Sequence, residues 1–235
     1  RFRPRRIRMD SAHIVPGPEG ASPSQMSVNR VGLAPAVLLR LGEPDYPRLL
    51  ALIEDPPDPL RVTGRTKDLA AFFSAPTIGI VGSRDCSLGA EAFARRLARD
   101  LAVNGVVIVS GLARGVDAAA HRGALDAEGR TLAVVGCGLD IVYPRVNREL
   151  RAAIHARGLI VGEYPPGTPP RKQNFPARNR ILSGLSCGVV VVGAVYHDFC
   201  LSLWLSRLVM RLLLWLCLSL SVSLFSRFPL RPASR

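Results

Sequence analysis

The sequence predicts an α/β fold, a parallel sheet with helices on both of its faces. Short apolar runs of the kind that form buried parallel strands recur between residues 77 and 192. Segments with helical periodicity separate these runs. Because successive parallel strands connect through right-handed crossovers, this alternation covers both faces of one sheet.

Five strands and four helices make up the predicted alternation. The strands are predicted at Thr77–Gly82, Val106–Val109, Leu132–Val135, Leu159–Val161 and Gly188–Val192. The helices are predicted at Ala90–Val103, Asp117–Glu128, Asn147–Arg157 and Arg178–Leu185. Phe93, Leu97 and Leu101 share one face of the first helix, which we expect to be buried. Asp117 is expected to cap the start of the second helix, which Gly129 ends.

The segments on either side of residues 77–195 do not follow this alternation. Residues 1–41 are rich in Pro, Gly and Ser, and we predict that they are disordered or translated from upstream of Met9 or Met26. Residues 42–76 are predicted to be a lead-in segment that packs on the following domain. Residues 196–235 form a Leu- and Ser-rich tail without strand or cap signals, so we predict that the last βα unit of the fold is missing.

The tail has two interpretations. Its longest uncharged run, from Leu212 to Ser226, has 15 residues, whereas a membrane helix needs roughly 20. A membrane anchor is therefore the less favoured interpretation. Alternating Leu and Ser is also what a CT repeat in DNA encodes, and we favour the hypothesis that residues 196–235 are a frameshifted or noncoding translation.

Charge favours a polyanionic partner. The formal net charge is +13, and residues 77–195 hold 15 Lys and Arg against 9 Asp and Glu. Arginine-rich coding bias is the alternative explanation. The five cysteines show no metal-binding spacing, which favours a reducing cytoplasmic location and no metal or other cofactor. Neither a GxxxxGK[ST] loop nor an acidic cluster is present, so no P-loop ATPase or metal nuclease is supported and no catalytic residue is assigned.

Four loops follow the carboxyl ends of predicted strands, where ligands bind in parallel α/β sheets. Three of them span residues 82–84, 110–117 and 136–138, and the fourth is the Pro-rich basic loop that begins at residue 163 and precedes the helix predicted from Arg178. We expect all four to share one edge of the sheet. The turn Gly82-Ser83-Arg84 precedes a helix, whose first backbone N–H groups favour an anion. A dinucleotide fingerprint is poorly supported, because Ile141 stands where the third glycine after Gly136-Cys137-Gly138 is needed.

The stretch over residues 163–184, which contains the Pro-rich basic loop and most of the helix predicted after it, carries the most specific signal. It places four cations around Phe175, and its prolines keep the first part extended. The cations are Arg171, Lys172, Arg178 and Arg180. Cations for phosphates and an exposed ring for a base suit a single strand of nucleic acid. In the alternative interpretation, Phe175 anchors the loop inward, and Arg178 and Arg180 pin the loop to the sheet.

His121 stands four residues after Asp117, one helical turn away. This spacing suits a carboxylate that orients an imidazole. No Ser or Cys nucleophile is tied to the pair by sequence, so a structural role is favoured over a catalytic one.

Together these residues resemble the DNA-processing protein A family, also called DprA or Smf. The matching motifs, in order, are IVGSR at 80–84, VSGLARGVDAAAHRGA at 109–124, GCGLDIVYP at 136–144, EYPPGTPP at 163–170 and NFPARNRI at 174–181. The resemblance covers residues 42–194. Several long motifs in the same order make it specific.

The resemblance implies an extended Rossmann-like fold that binds single-stranded DNA and has no established catalytic reaction. Such proteins act in natural transformation, where they protect incoming strands and help load the RecA recombinase, usually as homodimers. By the resemblance, the main DNA contacts fall on Arg84, Lys172 and Phe175. The residues expected to line the same pocket are Gly82, Ser83, Ser110, Gly111, Asn174, Arg178 and Arg180.

The sequence departs from the family after Val192. There the family continues through further helices and a last strand, which help complete the sheet and contribute to dimer and recombinase contacts. Two other interpretations of the chain stay open. One is a Rossmann-like nucleotide-binding enzyme of the nucleotide phosphohydrolase type, although the Pro-Gly-Gly-x-Gly-Thr-x-x-Glu segment of that group is absent. The other is a nonfunctional fragment of the DprA family.

Overall fold

Seven strands form one sheet at the centre of the computed structural model, which describes residues 36–193. The strands are β1 (Val37–Leu39), β2 (Leu60–Gly64), β3 (Thr77–Gly82), β4 (Val107–Ser110), β5 (Thr131–Val134), β6 (Leu159–Gly162) and β7 (Gly188–Val192). Their order across the sheet is β1-β2-β6-β5-β4-β3-β7. The predictions for residues 1–35 and for the Leu- and Ser-rich tail lie outside the described residues.

The five predicted parallel strands are confirmed as β3 to β7. Each of them pairs in parallel with its neighbours in this set. The predicted ends differ from the observed ends by at most one residue. The apolar runs between glycines were therefore sufficient to place the centre of the sheet.

Five helices pack against this sheet. They are α1 (Leu69–Phe73), α2 (Leu88–Val103), α3 (Val116–Asp126), α4 (Arg148–Arg157) and α5 (Asn174–Gly184). The start predicted for α5 was four residues too late, so Phe175 lies in a helical turn and not in an extended loop. Within residues 36–193, no helix has the length and the apolar character needed to cross a membrane.

The order of the crossovers decides which face of the sheet each helix covers. From β3 the chain steps to β4, β5 and β6 in one direction, and the last crossover returns to β7 on the other side of β3. Because such crossovers are right-handed, this reversal places α5 on the face opposite α2, α3 and α4. Ile181 and Leu182 of α5 accordingly pack with Leu132, whereas the alanines of α2 and α3 pack with Ile80 and Ile108. The predicted α/β fold with helices on both faces is confirmed.

Two antiparallel strands that were not predicted extend the parallel sheet at one edge. β2 pairs antiparallel with β6, and β1 pairs antiparallel with β2. β2 belongs to the lead-in segment, and its Leu60 and Val62 are fully buried. β1 lies at the end of the segment predicted to be disordered. Its three residues carry too little local signal to predict a strand, and pairing with β2 together with the burial of Leu39 stabilises it.

Small residues line the buried face of α2, which corrects the prediction for that helix. The buried residues are Ala94, Ala98 and Ala102. Phe93 is 56% exposed, and Leu97 and Leu101 are only partly buried. The reason is the close approach of α3, since a Cβ atom at Gly123 would overlap the carbonyl oxygen of Arg95. Larger side chains therefore lie at the margin of this contact.

His121 of α3 is fully buried and belongs to the core. Its Nδ1 lies 2.7 Å from Thr131 Oγ1, and that hydroxyl donates to the carbonyl oxygen of Ile108 at 2.9 Å. Because the hydroxyl proton is used by Ile108, His121 Nδ1 must carry a proton and donate it to Thr131. Nε2 has no hydrogen-bond partner among the described residues. Burial lowers the His121 pKa to about 3, because a charged ring would lose its contact with water.

We expect Gly123→Ala to destabilise the protein by about 1–3 kcal/mol, because the added methyl group forces α3 away from α2. The midpoint of urea denaturation measures this loss. Gly89→Ala is the matched control, since a Cβ atom there meets only Ser87 Oγ at 4.0 Å, and it should keep or raise stability by up to about 1 kcal/mol. Equal midpoints for the Gly123 variant and the wild type would contradict the close packing of α2 on α3.

We expect the free energy of unfolding to decrease as the pH falls below 6.5, because the ring of His121 gains a proton only in the unfolded chain. The pKa of the ring is about 6.5 when unfolded and about 3 when folded, so in this window the unfolded chain binds a proton that the folded chain excludes. The stability advantage of the wild type over His121→Gln should therefore shrink by about 2 kcal/mol between pH 7 and pH 5. Denaturation curves at several pH values measure it, and a pH-independent difference would show that the folded ring accepts a proton.

Candidate functional site

Loops at the carboxyl edge of the parallel strands surround a cavity of about 170 Å³. Its lining includes Arg84 after β3, Gly111 and Arg114 after β4, Cys137 and Tyr143 after β5, and Phe175 and Arg178 of α5. The predicted convergence of the motif-bearing loops at one edge is confirmed. The cavity is therefore lined by the loops that follow β3, β4 and β5 together with the start of α5.

Two aromatic rings and a guanidinium group lie together in this cavity. The rings of Tyr143 and Phe175 stack with their centroids 5.3 Å apart and an interplanar angle of 29°. The guanidinium carbon of Arg84 lies 5.4 Å from the centre of the Phe175 ring, within the range of a cation–π interaction. Tyr143 and Arg84 are exposed, and Phe175 is half-buried. The cavity thus offers aromatic surface beside a positive charge.

Arg178 is a buried cation that joins α5 to the ends of two strands. Its guanidinium donates hydrogen bonds to the carbonyl oxygens of Gly111 and Val134. It also lies 3.9 Å from the carboxylate of Asp117. Gly111 must be a glycine, because a Cβ atom there would overlap the Arg178 guanidinium. These contacts agree with the pinning role considered above for Arg178, although its Nε has no hydrogen-bond partner among the described residues.

Asp117 is the buried counterion of Arg178. Burial raises the pKa of Asp117 and lowers the pKa of Arg178, because each charged form loses its contact with water. The charge of Arg178 and hydrogen bonds from the backbone N–H groups of Ala113, Gly111 and Gly82 oppose the rise at Asp117. The predicted helix cap is wrong, since Asp117 lies inside the first turn of α3 and its carboxylate accepts a hydrogen bond from Ala113.

The structure gathers four of the ten sequence-predicted site residues in the lining, namely Arg84, Gly111, Phe175 and Arg178. Three of the others support the surrounding loops. Ser110 and Asn174 are buried and donate to the backbone carbonyls of residues 80 and 136, respectively. Arg180 forms ion pairs with Glu163 at 2.6 Å and with Asp55 at 2.9 Å. The pinning interpretation therefore describes the contacts of Arg180.

Gly82, Ser83 and Lys172 also lie outside the lining. A Cβ atom at Gly82 would overlap the carbonyl oxygen of Val192, so this glycine allows β7 to pair closely with β3. The hydroxyl of Ser83 accepts a hydrogen bond from the N–H of Asp85 at 3.2 Å. A further turn separates Ser83 from α2, so the helix N-terminus expected at this position is not there. Lys172 is exposed and stands two residues before α5.

Seven of the eleven lining residues were not among the predicted site residues, and three of these seven carry an aromatic, cationic or thiol side chain. Tyr143 follows the Gly-Cys-Gly turn inside one of the motifs, and that position was the only signal for it. Arg114 is exposed, with its guanidinium 3.3 Å from the carboxylate of Asp85. Cys137 is buried, and burial raises the pKa of its thiol to about 11. The thiol is therefore protonated at neutral pH and is not a nucleophile.

The groups in the cavity are suited to binding. Cations attract phosphates, and aromatic rings provide surface on which bases stack. Among the described residues that line the cavity, no Asp, Glu or His is present to move a proton. Residues 36–193 also hold no group of three His, Cys, Asp or Glu that is arranged for a metal ion.

Comparison with known proteins identifies relatives over the same part of the chain. A family model described as DNA recombination-mediator protein A matches residues 37–198. The protein Smf of Synechocystis sp. is 47% identical over 152 residues, which are 65% of this chain and 38% of that protein. The DNA processing protein DprA of Streptococcus pneumoniae is 45% identical over 149 residues, which are 63% of this chain and 51% of that protein.

Solved structures agree with these sequence relatives. The crystal structure of DprA from Streptococcus pneumoniae is similar with a TM-score of 0.64 and 40% identity, over 69% of this chain and 56% of that one. The structure of DNA processing protein A from Helicobacter pylori, described for its single-stranded DNA binding mode, is similar with a TM-score of 0.59 and 35% identity, over 66% of this chain and 68% of that one. These neighbours agree with the Rossmann-like description of the sheet.

The extent of the match limits what the relatives imply. The chain spans about half or less of the length of the two curated relatives named here. The family model, however, covers more than half of this chain and includes every loop that lines the cavity. The sequence motifs, the fold and this match agree, and the chain belongs to the DNA recombination-mediator protein A family, the family of DprA and Smf.

Proposed function

We propose that this chain binds single-stranded DNA at the cavity at the carboxyl edge of its sheet. The observation that carries the proposal is the Arg84 guanidinium beside the Phe175 ring, which itself stacks on Tyr143. A phosphate group fits the guanidinium, and the π-face of any base fits an aromatic ring, so the pair of contacts recognises a nucleotide without reading its sequence. The Helicobacter pylori relative is itself described as a single-stranded DNA binder.

Further donors around the cavity support the same proposal. Arg114 lines it and is exposed, and Arg171 and Lys172 are exposed immediately before α5. The buried Nε of Arg178 lacks a partner among the described residues. Because this atom is out of contact with solvent, DNA cannot reach it, and the exposed cations are the ones available to phosphate groups.

In the cell, we place this binding in DNA processing during natural transformation. In this proposal the chain protects incoming strands, helps to load a RecA-type recombinase, acts in the cytoplasm and catalyses no reaction. The family description as a recombination mediator and the naming of the relatives as DNA processing proteins support this role. A lining without carboxylate or imidazole among the described residues favours binding over a nucleotide phosphohydrolase activity.

We expect Phe175→Ala to weaken binding of a fluorescent thymine oligomer by about 1–3 kcal/mol, the contribution typical of one stacked base. Fluorescence anisotropy measures the dissociation constant. Phe93→Ala is the matched control, because it removes an aromatic ring that is 56% exposed on α2 and does not line the cavity. Equal affinities for the wild type and the Phe175 variant would mean that the ring only anchors α5.

We expect Lys172→Ala to weaken the binding of single-stranded DNA equally for all DNA sequences and to make the affinity less dependent on salt. The slope of log K against log salt concentration should fall in magnitude by about 0.7 for the phosphate contact that is lost. Lys67→Ala is the matched control, since Lys67 is the only other lysine of the chain and stands in the turn before α1. Circular dichroism confirms folding of each variant, and identical slopes for both lysine variants would remove Lys172 from the site.

A further inference from the structure

We infer that Asp140 is a positioning residue for the DNA site, because it holds the Pro-rich loop that carries Lys172 to α5. This inference rests on the proposed function. Asp140 follows the Gly-Cys-Gly turn after β5, and its side chain is half-buried. It lies outside the lining of the cavity and does not itself offer a contact to DNA.

The contact that carries the inference joins Asp140 to the backbone of the loop. The N–H of Gly167 donates to both carboxylate oxygens of Asp140, at 2.8 Å and 3.1 Å. A hydrogen bond to a charged acceptor is about twice as strong as one between neutral groups. Gly167 has a φ of +82°, a conformation that favours glycine, so the loop turns sharply where its N–H meets the carboxylate.

A backbone hydrogen bond lies beside this contact. The N–H of Gly138 donates to the carbonyl oxygen of Thr168 at 2.9 Å. Thr168 closes a turn on Pro165, to whose carbonyl oxygen both its N–H and its hydroxyl donate. A Cβ atom at Gly138 would press against the Asp140 carboxylate and the Pro165 carbonyl. The loop after β6 therefore lies directly on the segment after β5.

A second anchor holds the far end of the same loop. The side-chain amide of Asn174, the first residue of α5, donates to the carbonyl oxygen of Gly136 at 3.0 Å. Only residues 168–173 lie between Gly167 and Asn174, and two of these six residues are prolines. Because proline restricts the backbone, this short span has little freedom once both ends are held. Lys172 lies within the span, so the Asp140 contact limits where its ammonium group can go.

The charge of Asp140 and its positioning role predict opposite effects of its removal on DNA affinity. Asp140 is an anion close to a site proposed for a polyanion, and simple removal of its charge should strengthen DNA binding. If Asp140 positions the loop, its removal should weaken binding instead. Asp140→Ala removes the acceptor, whereas Asp140→Asn keeps an acceptor oxygen of the same reach.

The first measurement needs no DNA. Hydrogen–deuterium exchange of the full chain is followed in a peptide covering residues 163–170, whose prolines leave few amides besides that of Gly167. We expect exchange in this peptide to be about tenfold faster in Asp140→Ala, with Asp140→Asn closer to the wild type. Asp100→Ala, which removes an exposed carboxylate of α2, should leave the peptide unchanged. An unchanged exchange rate in Asp140→Ala would show that Asp140 does not hold the loop.

The second measurement is anisotropy with the labelled thymine oligomer over a range of salt concentrations. We expect Asp140→Ala to bind the oligomer about tenfold more weakly than the wild type and with a flatter salt slope. Asp140→Asn should keep most of the wild-type affinity. In a protein that already carries Lys172→Ala, adding Asp140→Ala should weaken binding by less. Binding as tight as the wild type in a variant with a loosened loop would overturn the positioning role. A wild type that does not bind would overturn the proposed function, while the exchange data still decide whether Asp140 holds the loop. If Asp140→Ala does not fold, Asp140→Leu carries both tests, because it fills a similar volume and also lacks an acceptor for the Gly167 N–H. Exchange in that variant no faster than in the wild type would show that Asp140 does not hold the loop.

Discussion

The pairing of Arg178 with Asp117 is the interaction on which the rest of this site depends. Arg178 comes from the helix that covers one face of the sheet, and Asp117 comes from a helix on the opposite face. Between them lie the ends of three strands, contacted through the backbones of Gly82, Gly111 and Val134. Two charges taken out of water are tolerated only when each is paired and hydrogen-bonded, so these contacts are required together.

The same cluster explains why so many small residues surround the cavity. Gly111 leaves space for the buried guanidinium, and Gly82 leaves space for the neighbouring strand β7. Backbone groups at the strand ends can then approach the two side chains closely enough to satisfy them. The aromatic pair and Arg84 lie on the outer side of this frame, where they remain accessible. A buried, hydrogen-bonded inner cluster therefore supports the exposed groups that can contact a ligand.

The cationic residues of the motifs therefore divide by their surroundings. Arg84 and Lys172 are exposed and available to a polyanion, whereas Arg178 is buried among carbonyls and Arg180 is held by two carboxylates. All four look alike in the sequence, since each stands in a loop or helix start rich in Gly, Pro or Asn. Burial and partner decide which charge is structural and which is free to bind, and neither property is local to the sequence.

The sequence by itself determined the parallel strands, the crossover helices and the edge at which the motifs meet, because apolar runs, helical periodicity and glycine turns are local signals. It also indicated the family, since long motifs in one order are specific. Only the tertiary structure decided that Val37–Leu39 is a strand, that alanines and not Phe93 face the core from α2, and that Tyr143 stacks on Phe175. Each of these depends on what a distant segment places beside the residue: a pairing strand, a closely packed helix, or a ring at the start of α5.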